Sequence, residues 1–226
     1  MKSFKSTAWI LPQPVLIIGT YDKGGACDVD NITGGHHGKP NAMNAAWGGQ
    51  WDMHEIIISL GSHATTDNLA ENPEFTVAFA TKDTMIASDY VGIVSGRNTP
   101  DKMEKAGLTV EKAPNVNAPV FKEFPMTLEC RVKQKIDESE TGYYLVAEIV
   151  NILCDEKYLA EDDKPDVEKM ELITTRRKII LQQKKERHEL HKVYSRREPL
   201  QRSPFIGSKS QTDGVDRNGR HQGSVR

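Results

Sequence analysis

The chain has 226 residues, 37% of them hydrophobic and 27% charged, which is the composition of a soluble globular protein with a real core. No apolar stretch approaches the ~20 residues of a membrane span, so we predict a cytoplasmic protein. Cys27, Cys130 and Cys154 are widely spaced and form no C-x-x-C pair, which argues against a disulfide framework or a zinc site and favours reduced thiols.

The net charge of −2 hides two kinds of sequence that meet at about residue 174. Residues 175–226 hold 14 Lys and Arg against 5 Asp and Glu, net +9, which leaves 16 basic and 27 acidic residues, net −11, in residues 1–174. The basic segment ends in a Ser-, Gly-, Gln- and Arg-rich run, which cannot bury enough apolar surface to offset the entropy of ordering. We predict a folded domain over residues 1–174 and a largely disordered basic tail over residues 175–226.

Most of the acidic part has the pattern of short strands joined by turns. A β-branched run over residues 14–21 predicts a strand that ends in turn residues. A long Gly-rich loop follows over residues 23–40, and the apolar run 55–60 predicts another strand. Residues 41–49, between this loop and this strand, are therefore expected at a strand edge within a meander.

Three short helices are predicted to decorate the sheet. Residues 65–72 offer N-cap side chains followed by helix formers and stop at Pro73, and a second helical stretch runs from residue 83 to Val91. The third, over residues 99–107, has Pro near its start and Gly at its end. None is long enough to serve as the crossover helix of a parallel sheet.

Two long alternating segments, residues 125–136 and 143–153, flank a polar turn and predict a β-hairpin. Many antiparallel strands, few helices and sheet edges that need closing favour a mainly β fold, specifically a small barrel.

Two neighbouring motifs indicate a ligand. Residues 41–49 combine amide side chains, small residues and one aromatic, a mixture that suits a flat ligand lying against backbone. Residues 59–68 place hydroxyls, an imidazole and backbone N–H groups at a strand-to-helix turn, where an anion is favoured. The alternative is that residues 62–66 only cap the helix. Together, the two motifs predict a flat phosphorylated cofactor.

The order of these motifs resembles the flavin reductase-like or flavoredoxin family over residues 9–174. The resemblance implies an FMN-binding split β-barrel, antiparallel and Greek-key-like, with a few short helices. It also implies a homodimer with FMN near the subunit interface and redox chemistry at the flavin. The stretches that carry it are residues 14–20, 41–49, 59–68, 89–96, 101–102 and 128–130.

The resemblance also implies roles for individual residues. Asn41 and Trp47 correspond to residues that contact the flavin, Thr66 to one that reaches its phosphate, and Lys102 to a basic partner of the cofactor. Tyr143 lies where family members can place a His near the flavin. By residue type alone, Lys102 could equally be a solvated helix charge. The complete predicted set of cofactor-binding residues is Asn41, Ala42, Met43, Asn44, Ala45, Trp47, Ser62, His63, Thr65, Thr66, Lys102 and Tyr143.

The chain departs from the family pattern at the long loop of residues 23–40, where relatives have a tight turn. The loop could hold a metal, but its flexible Gly-rich spacing favours an inert surface insertion, so we predict no metal site. Its candidate metal ligands are Cys27, Asp28, Asp30, His36 and His37.

A second departure follows residue 174, where the family continues with an aromatic-Asp turn and a Gly-rich helical ending that helps to cover the flavin. The abrupt change to a basic segment suggests a reading-frame disruption or an unrelated extension. Resequencing the coding DNA tests this hypothesis, since an intact frame with the same tail in close relatives would contradict it. The alternative, a tail that binds nucleic acid, is weaker because the segment lacks aromatic interleaving and any recognisable domain.

The leading hypothesis is an FMN-dependent oxidoreductase that passes electrons from NAD(P)H or a redox protein through FMN, with no catalytic side chain of its own. A non-catalytic flavin-binding module and a flavoprotein impaired by its altered C-terminus are the alternatives. The chain has no G-x-G-x-x-G motif in a βαβ context, so the electron donor and acceptor stay open.

Overall fold

The computed structural model describes residues 1–3, 12–23, 38–139 and 142–175. Most of the Gly-rich loop, with its candidate metal ligands, and the basic tail lie outside these residues. The expectations of an inert loop, a domain boundary at residue 174 and a disordered tail therefore stay predictions.

The described residues form eleven strands, three α-helices and a short 3-10 helix. The strands are β1 (Gln13–Pro14), β2 (Leu16–Tyr21), β3 (Pro40–Ala45), β4 (Gly48–Asp52), β5 (Glu55–Gly61), β6 (Glu74–Phe79), β7 (Val110–Lys112), β8 (Pro119–Phe121), β9 (Met126–Ser139), β10 (Gly142–Cys154) and β11 (Thr174–Thr175). The helices are α1 (Ala64–Glu71), α2 (Met85–Ile93) and α3 (Lys102–Ala106), and the 3-10 helix is Glu156–Tyr158.

Seven strands form one antiparallel sheet in the order β3-β2-β6-β9-β10-β5-β4. Its two edge strands, β3 and β4, are consecutive in the chain and separated only by Ala46 and Trp47. The sheet therefore curls until its edges meet in one bent segment, where the Ser59 amide donates to the Trp47 carbonyl at 2.8 Å. This curled antiparallel sheet confirms the mainly β fold, and the β9–β10 hairpin confirms the pairing predicted for it.

Successive residues of β2 point to opposite faces of the sheet and enter two separate cores. Leu16 and Ile18 belong to an inner cluster that draws residues from strands β3, β5, β6, β9 and β10 and from α1. Ile17 belongs to an outer cluster shared with Val91 of α2 and Met103 of α3. Each fully buried aliphatic side chain contributes about 1.5–3 kcal/mol, so the outer cluster holds α2 and α3 firmly beside β3.

The three helices lie where the sequence predicts them, with ends that shift by a few residues. α1 ends just before Pro73, and α3 ends at Gly107, whose φ of +71° is the left-handed conformation that glycine adopts readily. In the parts of the chain that the structure describes, no helix is long and apolar enough to cross a membrane.

The small β7–β8 hairpin was not predicted from the sequence. Glu129 of β9 is fully buried and accepts hydrogen bonds from the Asn115 backbone N–H at 2.8 Å and from its side-chain amide at 2.7 Å. The Asn151 side-chain amide donates to the same carboxylate at 2.6 Å. The Asn115 contacts tie the loop between β7 and β8 to the sheet, and the Asn151 contact links β9 to β10. Local sequence does not reveal them because the partners are 14 and 22 residues away from Glu129.

Candidate functional site

Most of the predicted site residues converge from three elements. Strand β3 supplies residues 41–45, the turn into α1 with its first residues supplies residues 62–66, and α3 begins with Lys102. The bend between β3 and β4 holds Trp47, and Tyr143 lies on β10, so these two come from other parts of the fold.

Asn41 joins the three elements. Its Nδ2 donates to the Thr65 hydroxyl of α1 at 2.9 Å, and its Oδ1 accepts from the Lys102 ammonium of α3 at 3.3 Å. A carboxamide carries a donor and an acceptor on one planar group, which a carboxylate or an aliphatic side chain does not. The buried Asn41 therefore fixes α1 and α3 against β3.

Lys102 is a buried cation, with only 4% of its surface exposed. Its ammonium donates to Asn41 Oδ1 and to the Ala42 carbonyl. Burial lowers the pKa of Lys102 to about 8, because desolvation disfavours the charged form. In the described ranges no ion pair involves it. The alternative interpretation, a solvated helix charge, is therefore wrong.

The two threonines at the N-terminus of α1 make different contacts. Thr66 caps the helix, since its hydroxyl accepts from the His63 backbone N–H at 2.9 Å and donates to the His63 carbonyl at 2.7 Å. Thr65 is fully buried and accepts from Asn41, which leaves its own hydroxyl proton free to donate. Among the described residues no acceptor receives that proton. The capping alternative thus describes Thr66 and does not account for Thr65.

Two glycines let the asparagines of β3 pack tightly against α2 and the turn that follows it. A Cβ on Gly92 would lie 2.0 Å from Asn44 Nδ2, and a Cβ on Gly96 would lie 2.4 Å from Asn41 Oδ1. Asn44 Nδ2 also donates to the Ser88 carbonyl at 3.2 Å. A side chain at either glycine would displace an asparagine, so both glycines set the position of the polar cluster.

Arg97 lies at the rim of the cluster and was missed from the sequence. Its guanidinium forms an ion pair with Asp67, in the first turn of α1, with Nη2 2.6 Å from Oδ2. Desolvation and then the positive charges of Arg97 and Lys102 lower the pKa of His63, whereas Asp67 acts to raise it. A single Arg in a turn carries no sequence signal, and only the fold places it beside α1.

The remaining small members of the predicted set shape the wall of the cluster. Ala42 is buried and contributes its carbonyl to Lys102. Met43 and Ala45 belong to the inner core, and Ser62 is exposed at the turn before α1. These residues provide packing and close backbone approach, and the polar contacts come from their neighbours.

The two aromatic members lie apart from the buried polar cluster. Trp47 is largely exposed at the bend between β3 and β4. Tyr143 packs against the inner core near the end of β10, with the Lys135 ammonium 4.9 Å from its ring centroid. The structure therefore does not bring either ring into contact with Asn41 or Lys102.

The cluster has more hydrogen-bond donors than acceptors, and it carries positive charge. The Lys102 ammonium has three N–H bonds and two protein acceptors, and the Thr65 hydroxyl keeps a proton to donate. The N-terminal end of α1 adds positive charge, whereas the charge of Arg97 is balanced by Asp67. This combination suits a multiply charged oxyanion. Over the residues that the structure covers, no group of three or more His, Cys, Asp or Glu side chains could hold a metal ion.

Comparison with known proteins identifies relatives of this arrangement. The chain matches the family model described as "Flavin reductase like domain" over residues 9–177. It is similar to the solved structure of flavoredoxin of Desulfovibrio vulgaris (Miyazaki F), with 28% identity and a TM-score of 0.64 over 79% of this chain and 95% of that one. Flavoredoxin from Methanosarcina acetivorans gives 28% identity and a TM-score of 0.64 over 78% and 88%.

A more distant structure shares the fold. It is an FMN-binding domain of a flavin reductase-like enzyme from Shewanella baltica OS155, with 14% identity and a TM-score of 0.55 over 74% of this chain and 88% of that one. The family and the split-barrel class predicted from the sequence are confirmed.

Stability without a bound anion should rise with pH because of Lys102. Its folded pKa of about 8 lies below the ordinary value of 10.5, so between these values the unfolded chain binds more protons than the folded one. Across this window we expect the free energy of unfolding of the wild type to increase by about 1–3 kcal/mol relative to Lys102→Met. Urea denaturation of both proteins at several pH values measures this, since the comparison cancels the titration of other groups. A difference that does not change with pH would contradict the assignment.

Proposed function

This chain belongs to the flavin reductase-like family, and from that premise we propose that it binds FMN and acts as an FMN-dependent oxidoreductase. In this proposal electrons from NAD(P)H or from a redox protein pass through the flavin to an acceptor. The names of its relatives support the cofactor, since one of them is an FMN-binding domain and two are flavoredoxins.

The observation that carries the proposal is the buried Lys102 ammonium without a carboxylate partner in the described ranges. A buried charge is costly unless it is paired and fully hydrogen-bonded. A phosphate placed beside it would accept the third N–H bond of Lys102 and the Thr65 hydroxyl proton, and would lie near the positive end of α1. The groups present therefore fit the phosphate end of FMN.

The remaining residues would hold and shield the other end of the cofactor. Asn44 and the close-packed segment of β3 would provide amide groups and a backbone surface for the flat ring. Trp47, at the bend between β3 and β4, would cover the part of the ring that extends beyond β3. When bound, FMN supplies the electron-accepting and electron-donating chemistry, and the chain binds and orients it.

No catalytic side chain is assigned. Tyr143 replaces the His that family members can place near the flavin, and its ring packs against the inner core. With a phenol in place of an imidazole, proton exchange at the flavin would use solvent.

We also propose that the protein forms a homodimer through the edge of β4. Three large apolar side chains at and beside this strand are exposed, Trp47 by 62%, Trp51 by 54% and Met53 by 83%. Exposed apolar groups grouped on an edge strand mark an interaction surface. A flavin held near this edge would be covered by the second subunit.

Removing the Lys102 charge should weaken FMN binding selectively. Loss of a charge-assisted hydrogen bond to phosphate predicts about a 10- to 100-fold rise in Kd for Lys102→Met, with riboflavin affinity unchanged because riboflavin lacks the phosphate. Isothermal titration of both ligands measures this. Lys105→Met, which removes an exposed charge from the same helix, is the control and should bind FMN like the wild type. Equal FMN affinity in Lys102→Met would refute the phosphate assignment.

Catalytic turnover can be separated from simple flavin binding. The FMN-loaded protein, mixed anaerobically with NADH or NADPH, should lose its oxidised-flavin absorbance in stopped-flow measurements. A non-catalytic flavin-binding module would hold FMN and keep its oxidised spectrum with both nucleotides. A flavoprotein impaired by its C-terminal segment would instead lose FMN readily on dilution. Wild-type protein that takes up no FMN would overturn the proposed function itself.

The dimer proposal predicts a mass of two chains in sedimentation equilibrium. Trp51→Lys and Met53→Lys should shift the protein toward the monomer, because each places a charge in the apolar contact. Val167→Lys, which alters an exposed apolar residue outside β4, should leave the mass unchanged. A monomeric wild type would exclude the dimer.

A further inference from the structure

We infer that the Asp67 carboxylate competes with the bound phosphate for Arg97, so that this exposed ion pair at the start of α1 sets how tightly FMN is held. The inference rests on the proposed function and assigns specificity-determining roles to two residues that neither the sequence motifs nor the comparisons single out.

The backbone places Arg97 beside the buried polar cluster. Its neighbour Gly96 packs so closely on Asn41 that a Cβ there would lie 2.4 Å from Asn41 Oδ1. Asn41 in turn accepts from Lys102 and donates to Thr65. Arg97 therefore follows directly after the residue that packs on Asn41, the side chain that links Lys102 and Thr65. Its side chain reaches α1, where it contacts Asp67.

Asp67 is the partner of Arg97 on α1. It lies in the first turn of α1, where a carboxylate interacts favourably with the positive end of the helix. Arg97 Nε and Nη2 both donate to the same carboxylate oxygen, at 2.9 and 2.6 Å. Both side chains are exposed, so the ion pair is weak and can open at little cost.

The charged side chains near the start of α1 influence one another. The pKa of His63, the residue before α1, is lowered first by desolvation and then by the positive charges of Arg97 and Lys102, and Asp67 opposes this. Arg97, Lys102 and Asp67 thus all act at the N-terminus of α1. Of these three residues only Lys102 is buried, and its acceptors are Asn41 and Ala42. Asp67 therefore neutralises the outer cation, and within the described part of the chain no carboxylate pairs with the inner one.

This arrangement has a direct consequence for binding. A phosphate near α1 would meet the buried Lys102 and the exposed Arg97. To use Arg97 it must displace Asp67 from the guanidinium. Asp67 therefore lowers FMN affinity through Arg97, while it contributes nothing to the affinity for a flavin that lacks phosphate.

The test is a double-mutant cycle on the full-length protein with FMN and riboflavin as probes. Asp67→Asn should tighten FMN binding about 2- to 5-fold, the range of an exposed ion pair, and Arg97→Gln should weaken it by a similar factor. The gain from Asp67→Asn should disappear in the double variant, because Arg97 is no longer there to be released. Riboflavin affinity should stay constant throughout. Glu111→Gln, which breaks the exposed ion pair with Lys122, is the control and should change neither affinity.

Each other outcome counts against the inference. If Asp67→Asn tightens FMN binding equally with and without Arg97, the carboxylate acts only by general repulsion and the competition is refuted. If riboflavin affinity changes in parallel, the effect does not involve the phosphate. Thermal melting checks that Asp67→Asn folds, and Asp67→Ser repeats the cycle if it does not. A wild type that binds no FMN overturns the proposed function and this inference together, whereas normal FMN binding with no effect of Asp67→Asn overturns the inference alone.

Discussion

The buried ammonium of Lys102 is the interaction on which the organisation of the site depends. It is held by a side-chain oxygen of Asn41 and by the Ala42 carbonyl, so helix α3 is fixed to strand β3 through neutral acceptors. The same Asn41 is bonded to Thr65, which ties in the N-terminus of α1. Neutral acceptors compensate a buried charge only partly, so an anion beside Lys102 would stabilise the cluster further.

The curled sheet makes this cluster possible. Strands β3 and β4 are the two edges of one seven-stranded sheet, yet they follow each other in the chain, so the bend at Ala46 and Trp47 brings the edges together. The outer face of β3 then receives α2 and α3, which the outer core holds in place. Gly92 and Gly96 allow the close approach that brings the asparagine side chains into register with these helices. The packing of α2 and α3 on β3 thus positions the asparagine side chains of that strand.

Charge at the site changes with depth. The inner cation, Lys102, is desolvated and has no carboxylate partner in the described ranges, whereas the outer cation, Arg97, is neutralised by Asp67. In the proposed complex, a terminal phosphate would be drawn to the buried Lys102, because electrostatic contacts are stronger away from water. The exposed pair at the rim is weak enough to rearrange. Burial therefore makes the contact with Lys102 the strong one, and exposure makes the Arg97–Asp67 pair the adjustable one.

Local sequence predicted much of the fold. Alternating apolar residues indicated the long β9–β10 hairpin, and Pro73 and Gly107 marked the ends of α1 and α3 because these residues restrict or free the backbone. The β7–β8 hairpin was missed because its anchor, Glu129, bonds residues far away in the chain.

The candidate site divides in the same way. The residue types of segments 41–49 and 59–68, with the family resemblance, sufficed to nominate Asn41, Thr65 and Lys102. Only the tertiary structure decided that Thr66 is a helix cap, that Lys102 is buried and that Arg97 stands opposite Asp67. A sequence records which groups are available and how short segments fold. The pKa of a lysine and the partner of an arginine depend instead on burial and on contacts between distant segments, which exist only once the chain has folded.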